Sequence, residues 1–93
     1  MFVGICSLKF LIPGAHSLKD KRRAVKSLTA RVRNLFNVSI SEVGENGLWG
    51  RTTLGMACVG NDRRFVESCL SKALQYAEKD PEMQLLDYSL EIL

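Results

Sequence analysis

Lys19, Arg22, Lys26 and Arg33 are spaced so that a helix would bring all four onto one flank. At ~100° per residue, with Val25 as zero, they fall at roughly 120°, 60°, 100° and 80°. A line of fixed cations does not abstract protons or form covalent bonds. Its natural chemistry is neutralisation of a row of phosphates, to which Arg offers a bidentate fork and Lys a point charge. Arg23 falls just beyond this stripe and Arg31 on the opposite flank. Lys21 falls near the apolar sector but at the helix start, where its head is expected to reach solvent. A solvated surface face also looks like this, so the stripe by itself marks a place rather than a function.

Other chemistry-bearing residues are few. His16 is the single histidine, with no Ser or Cys partner spaced for nucleophilic attack and no second ligand type nearby. No phosphate-cradling glycine loop and no paired-acid motif occurs, so neither an enzyme nor a cofactor or metal site is expected. Cys6, Cys58 and Cys69 are odd in number and lack metal-ligand spacing; all three sit in apolar stretches and read as buried reduced thiols. Trp49 stands beside a turn, where it could close the core edge, meet a partner or stack on a base. Arg51 follows it.

The elements that must position these residues can be read along the chain. Phe2 to Ile12 is apolar and rich in strand formers, the pattern of a central strand, and Pro13-Gly14 ends it. Ser17 is an N-cap candidate, with Asp20 completing a short capping box, for a helix from Leu18 to Phe36. Its apolar positions are Leu18, Val25, Leu28, Val32, Leu35 and Phe36. Asn37 to Val43 alternates as an edge strand, broken by Glu42. The Asn46-Gly47 pair signals a hairpin, and a strand from Trp49 to Val59 returns. Gly60-Asn61-Asp62 turns into a second helix ending near Lys79, before Asp80-Pro81. Met83 to Leu93 is the last strand, with Leu86, Tyr88, Leu90 and Ile92 on one face.

The order βαββαβ in 93 residues predicts one α+β domain, residues 1–93. The expected fold is ferredoxin-like: a four-stranded antiparallel sheet in the order 4-1-3-2 with two helices on one face. The loop before the first helix, the hairpin and the loop before the last strand then share one end of the sheet. His16, Lys19, Arg22, Trp49 and Arg51 can gather there. The open sheet face, beneath so apolar a first strand, is expected to be covered by another copy, giving a homo-oligomer such as a dimer. Arg63 and Arg64, at the opposite end, read as solvated charges.

Charge is uneven. Met1 to Phe36 carries eight basic residues against one acid, +7, and the remainder carries five against nine, −4. An anionic partner for one face fits this asymmetry. No apolar run is long enough to span a bilayer and no leader pattern opens the chain, so a cytoplasmic protein without a membrane partner is expected.

Several segments together resemble one family: Phe2-Val3-Gly4, the run from Ile12 to Arg23 with its Ser17-Leu18-Lys19-Asp20-Lys21-Arg22-Arg23 core, Phe36 to Ser39 with Glu42-Val43 and Trp49, and Asn61 to Arg64. These are similar to the bacterial YlxP-like family, a domain family of unknown function. The resemblance implies a ferredoxin-like fold and a bacterial cytoplasmic protein. Its members are commonly encoded near translation and ribosome-maturation factors, which implies RNA or the ribosome as partner. It carries no catalytic residues. The third strand, Arg51 to Cys58, has no aromatic, which sets aside the usual RNA-recognition-motif mode of stacking bases on the sheet. If RNA binds, it should do so through Lys19, Lys21, Arg22, Arg23, Lys26, Arg33, Trp49 and Arg51. The alternatives are a homo-oligomeric interaction module on the open sheet face and, more remotely, a small-molecule enzyme on the same scaffold.

Overall fold

The computed structural model describes residues 1–93. Six elements follow in the order β1 (Phe2–Leu11), α1 (Leu18–Leu35), β2 (Ser39–Gly44), β3 (Arg51–Gly60), α2 (Arg63–Glu78) and β4 (Gln84–Ile92). The four strands form one antiparallel sheet in the order β2-β3-β1-β4, which is the expected order read from the other edge.

Strand alternation decides what each sheet face carries. Cys6, Leu8 and Phe10 of β1 stand opposite Met56, Leu54 and Thr52 of β3, and all six are buried beneath the helices. With Leu28 and Val32 of α1 and Val66, Leu70, Ala73 and Ala77 of α2 they form one continuous core. Gly4 of β1 lies where α2 presses closest. A Cβ there would stand 2.5 Å from Leu70 Cδ1 and 2.7 Å from Val66 Cγ1. The glycine that interrupts the apolar run of β1 is thus what lets the helix sit down on the strand.

The opposite face is open. Ser41, Gly55, Ser7 and Ser89 stand in one row across the four strands. They floor a shallow concavity of about 700 Å³ flanked by Ile5, Val43 and Glu91. Apolar Ile5, Val43 and Ala57 and small polar Ser7, Ser39, Ser41 and Ser89 are mixed on this face.

Both helices start on side-chain caps. Ser17 Oγ accepts from Asp20 N at 3.1 Å, and Asp62 Oδ1 accepts from the backbone N–H groups of Arg64 and Phe65. Each cap satisfies donors that the first helical turn leaves unpaired.

Three expectations need correction. First, the buried sector of α1 contains Lys21, Ala24, Leu28, Thr29 and Val32, whereas Leu18 and Leu35 are exposed. The sector is centred roughly 40° from Val25, on the side of Lys21. Counting Lys21 and Thr29 as polar moved the apparent centre. Second, a bulge in β4 places Leu85, not Leu86, opposite Phe10, so Leu86 leaves the inner face and is exposed. Third, Cys6 and Cys58 are buried, but Cys69 is only partly so. Burial pushes the Cys6 and Cys58 thiols up to about 11, with a hydrogen bond to Cys69 adding to the shift of Cys58.

Candidate nucleic-acid interface

Helix α1 carries seven cations: Lys19, Lys21, Arg22, Arg23, Lys26, Arg31 and Arg33. Their fates divide by helix face. Lys21 points inward and is 2% exposed. Its Nζ meets Glu42 Oε2 at 2.9 Å and donates to the backbone carbonyls of Glu45 (2.6 Å), Asn46 (3.4 Å) and Leu48. Glu42 also accepts from Thr52 Oγ1 at 2.5 Å. The expectation that the Lys21 head reaches solvent is therefore overturned. The β2–β3 loop folds over it, and its ammonium gathers three carbonyls of that loop. Lys21 is a strut that holds this loop against α1, and with Glu42 it forms part of the wall of the groove on that flank.

Arg31 binds Asp80 through Nη2 at 2.5 Å and Tyr76 through Nη1 at 3.1 Å, and its guanidinium lies 5.8 Å from the Tyr76 ring centre. The hydrogen bond to Asp80, then that to Tyr76, holds its pKa above the ordinary value. Arg23 pairs with Glu82 at 3.2 Å, both side chains well exposed. That hydrogen bond likewise raises the Arg23 pKa. Arg23 lines a separate cavity of about 360 Å³ with Pro13, Gly14, Pro81 and Glu82. The loops before α1 and before β4 thus meet at one end of the sheet, as the topology requires.

The other four cations, Lys19, Arg22, Lys26 and Arg33, belong to none of the four ion pairs of the molecule. All four are exposed and share the flank facing β2 and the hairpin. Arg22, Lys26 and Arg33 line a groove of about 340 Å³ with Leu18, Val25, Thr29, Glu42 and Asn46. Arg33 Nη2 donates to Ile40 O at 2.8 Å, fixing its guanidinium over the start of β2. From Lys19 to Arg33 the flank runs about 21 Å at ~1.5 Å per residue.

The hairpin end closes the arrangement. Trp49 is 48% exposed, and the His16 ring meets it edge-on with centroids 6.5 Å apart and planes at 62°. Arg51 Nε lies 3.6 Å from Glu45 Oε1 at the surface. Of the expected site residues, then, Arg22, Lys26 and Arg33 come together, with Lys19 on their flank. Trp49 sits with His16, Arg51 with Glu45 and Arg23 with Glu82, while Lys21 is withdrawn into the structure. No three of the His, Cys, Asp and Glu residues come together as a metal site would need. No helix is long and apolar enough to cross a membrane.

Glu42 is the functional-site residue that sequence reading missed. It broke the alternation of β2 just as Lys21 broke the apolar sector of α1. Two pattern-breaking charges of opposite sign are the signal for a buried pair.

Comparison with known proteins places this geometry in a family. Residues 3–90 match the model of a protein family of unknown function, DUF503. The chain belongs to the DUF503 family. A DUF503-type relative, the uncharacterized protein YlxP of Bacillus subtilis (strain 168), is 39% identical over 82 residues, spanning 88% of this chain and 89% of the relative. Among solved structures, the de novo designed protein Foldit4 superposes over all of this DUF503 chain and 97% of its own, with a TM-score of 0.53 at 12% identity. That likeness concerns the fold alone.

Proposed function

We propose that this protein is an RNA-binding module, of ribosomal or other structured RNA, on a ferredoxin-like scaffold, and that RNA lies along the α1 flank facing β2. One observation carries the reading. Three of the seven α1 cations are engaged by carboxylates, and the four that are not all lie on one flank. Free cations scattered by chance would not sort by face. A ~21 Å row of charge without carboxylate partners bordering a groove suits a phosphodiester backbone, where counterion release supplies the affinity. Arg22 and Arg33 suit phosphate oxygens through their planar forks.

The test is titration of a labelled structured RNA at several salt concentrations. Affinity should fall steeply as salt rises. A variant carrying Lys19→Gln, Arg22→Gln and Lys26→Gln should bind at least tenfold more weakly while melting at an unchanged temperature. Binding indifferent to salt, or no binding at low salt, would refute the reading.

The alternative, a second copy seated on the open sheet face, draws support from exposed Ile5, Val43 and Val59 and from the concavity of about 700 Å³ that Ile5, Val43 and Ala57 line. Sedimentation that shifts with Ile5→Ser and Val43→Ser would favour it.

A further inference from the structure

The hairpin between β2 and β3 presents the one tryptophan of the chain to solvent. A large aromatic left half in water forgoes much of the burial free energy it could contribute to a small core. Mobility does not account for it, because the loop is fastened from two sides. Lys21 Nζ takes the carbonyls of Glu45, Asn46 and Leu48, and Ile12 N donates to Gly50 O at 2.8 Å. Within the loop Leu48 N donates to Glu45 O at 3.1 Å, and Glu45 adopts a left-handed φ of 58°. The His16 ring then props the indole edge-on. The result is a braced aromatic plate whose ordering cost is met before any ligand arrives.

The plate adjoins the cationic groove through the same loop. Asn46 lines the groove with Arg22, Lys26 and Arg33, and Trp49 stands three residues further on. The residue that fixes the loop, Lys21, is the chain neighbour of Arg22. Free cations that track a backbone, ending at a rigid π-face, are the two components of single-strand recognition. The surface beside the plate is mixed: Leu48, next to Trp49 in the chain, is exposed, and so is the charged Arg51 two residues on, so a second copy seated on the plate is one of the outcomes that the test separates.

We infer that Trp49 stacks on one unpaired nucleobase, so that the RNA bound carries an unpaired nucleotide beside the segment whose phosphates lie along α1. The inference rests on the RNA-binding reading and deepens it. Lys21 acts in it as a positioning residue and His16 as the prop; the sheet face takes no part.

The experiment compares two labelled RNA hairpins whose stems are closed by a polyethylene glycol linker in place of loop nucleotides, one blunt-ended and one with a three-nucleotide single-stranded tail, by anisotropy at low salt, alongside the intrinsic emission of Trp49. Both hairpins should bind, the tailed one about tenfold more tightly, as one base–aromatic stack provides. Only the tailed hairpin should quench Trp49. Trp49→Ala should remove the tenfold preference and leave the blunt affinity within twofold, and Trp49→Phe should restore most of it. Equal binding of both RNAs by the native protein, or equal weakening of both by Trp49→Ala, would overturn the stacking site while leaving the phosphate flank standing. If neither hairpin binds, the RNA reading falls and the platform with it. If Trp49→Ala instead converts a sedimenting dimer to monomer, the plate is an interface between copies and the inference is wrong.

Discussion

The Lys21 ammonium and the Glu42 carboxylate meet at 2.9 Å, with side chains 2% and 18% exposed, joining the first turn of α1 to the edge strand β2. Removing one member of such a pair strands the other charge away from water, at a cost of about 3–5 kcal/mol. Lys21→Met is thus expected to lower the melting temperature by on the order of 12–40 °C, at ~4–8 °C per kcal/mol for a domain of this size. Glu42→Gln keeps an acceptor for Thr52 Oγ1 and should cost less. The double variant Lys21→Met/Glu42→Leu should be more stable than the sum of its single changes predicts, because neither charge is then left alone. Strict additivity in chemical denaturation would show that the pair is not coupled.

The same two residues show how far the sequence could be read. Element order, strand order and the Ser17 N-cap followed from periodicity and turn chemistry, because each rests on local residue types such as Ser17 and Asn46-Gly47, whereas the turn at Asn61-Asp62 left open which of the two caps α2. The inward turn of Lys21 did not, since its partners are three carbonyls and one carboxylate more than twenty residues away. A helical wheel sees one helix at a time and assigns a lysine to water by default. The bulge in β4 was hidden for a related reason: Leu85 and Leu86 are identical in type, and only pairing with Phe10 chooses between them. The wheel did set Lys19, Arg22, Lys26 and Arg33 apart from Arg23 and Arg31, but the carboxylates that hold those two, Glu82 and Asp80, are 59 and 49 residues away and beyond its view.

Arg31 and Asp80 predict an asymmetric pair of mutants. The Arg31 side chain is 41% exposed and that of Asp80 only 3%. Without Asp80, the guanidinium can turn to water and keeps Tyr76 as a partner. Without Arg31, a carboxylate remains buried with the Glu82 N–H at 2.9 Å as its remaining hydrogen bond. Arg31→Ala should therefore destabilise more than Asp80→Ala, the latter by about 1.5–3 kcal/mol for hydrogen bonds to a charged group. Urea denaturation of both variants checks the order.

Gly4→Ala tests the seat of α2. The added methyl would collide with Leu70 and Val66, both fully buried, so one of them must shift within the core. Overpacking of this kind costs about 1–3 kcal/mol. Gly14→Ala is the control, since a Cβ there meets nothing within 4 Å. A smaller loss at Gly4 than at Gly14 in a thermal melt would contradict the packing described.

The start of α1 predicts a dependence on pH. Asp20 Oδ2 accepts from His16 N at 3.0 Å, and this bond, ahead of that with Ser17 and the charge of Arg23, holds the Asp20 carboxyl below its ordinary 3.8. A depressed carboxylate stabilises the fold fully above its unfolded value and loses that contribution as pH falls through the lowered folded value. Native stability should therefore drop below about pH 4, and Asp20→Asn should flatten that part of the profile by lowering the plateau above it. Ser17→Ala removes the acceptor for Asp20 N and should cost about 1 kcal/mol at neutral pH. Stability measured by denaturant between neutral and acid pH separates the two effects.

Arg22 and Arg23 are neighbours in the chain, and their contrast is the sharpest test of the cationic flank. Arg22 lines the groove and has no carboxylate partner, whereas Arg23 is held by Glu82 on another side of the helix. Each phosphate that a variant no longer neutralises should reduce the slope of log affinity against log salt by about 0.7–0.9. Arg22→Gln is thus expected to weaken RNA binding and to flatten that slope by nearly one. Arg23→Gln, which removes the same formal charge, should leave the slope unchanged. It should also leave stability nearly unchanged, as expected when an exposed pair is broken. A net-charge effect acting at long range would move both variants alike, since the two residues differ by a single position. Equal weakening in the two would therefore mean that overall positive charge, and not the flank, attracts the RNA.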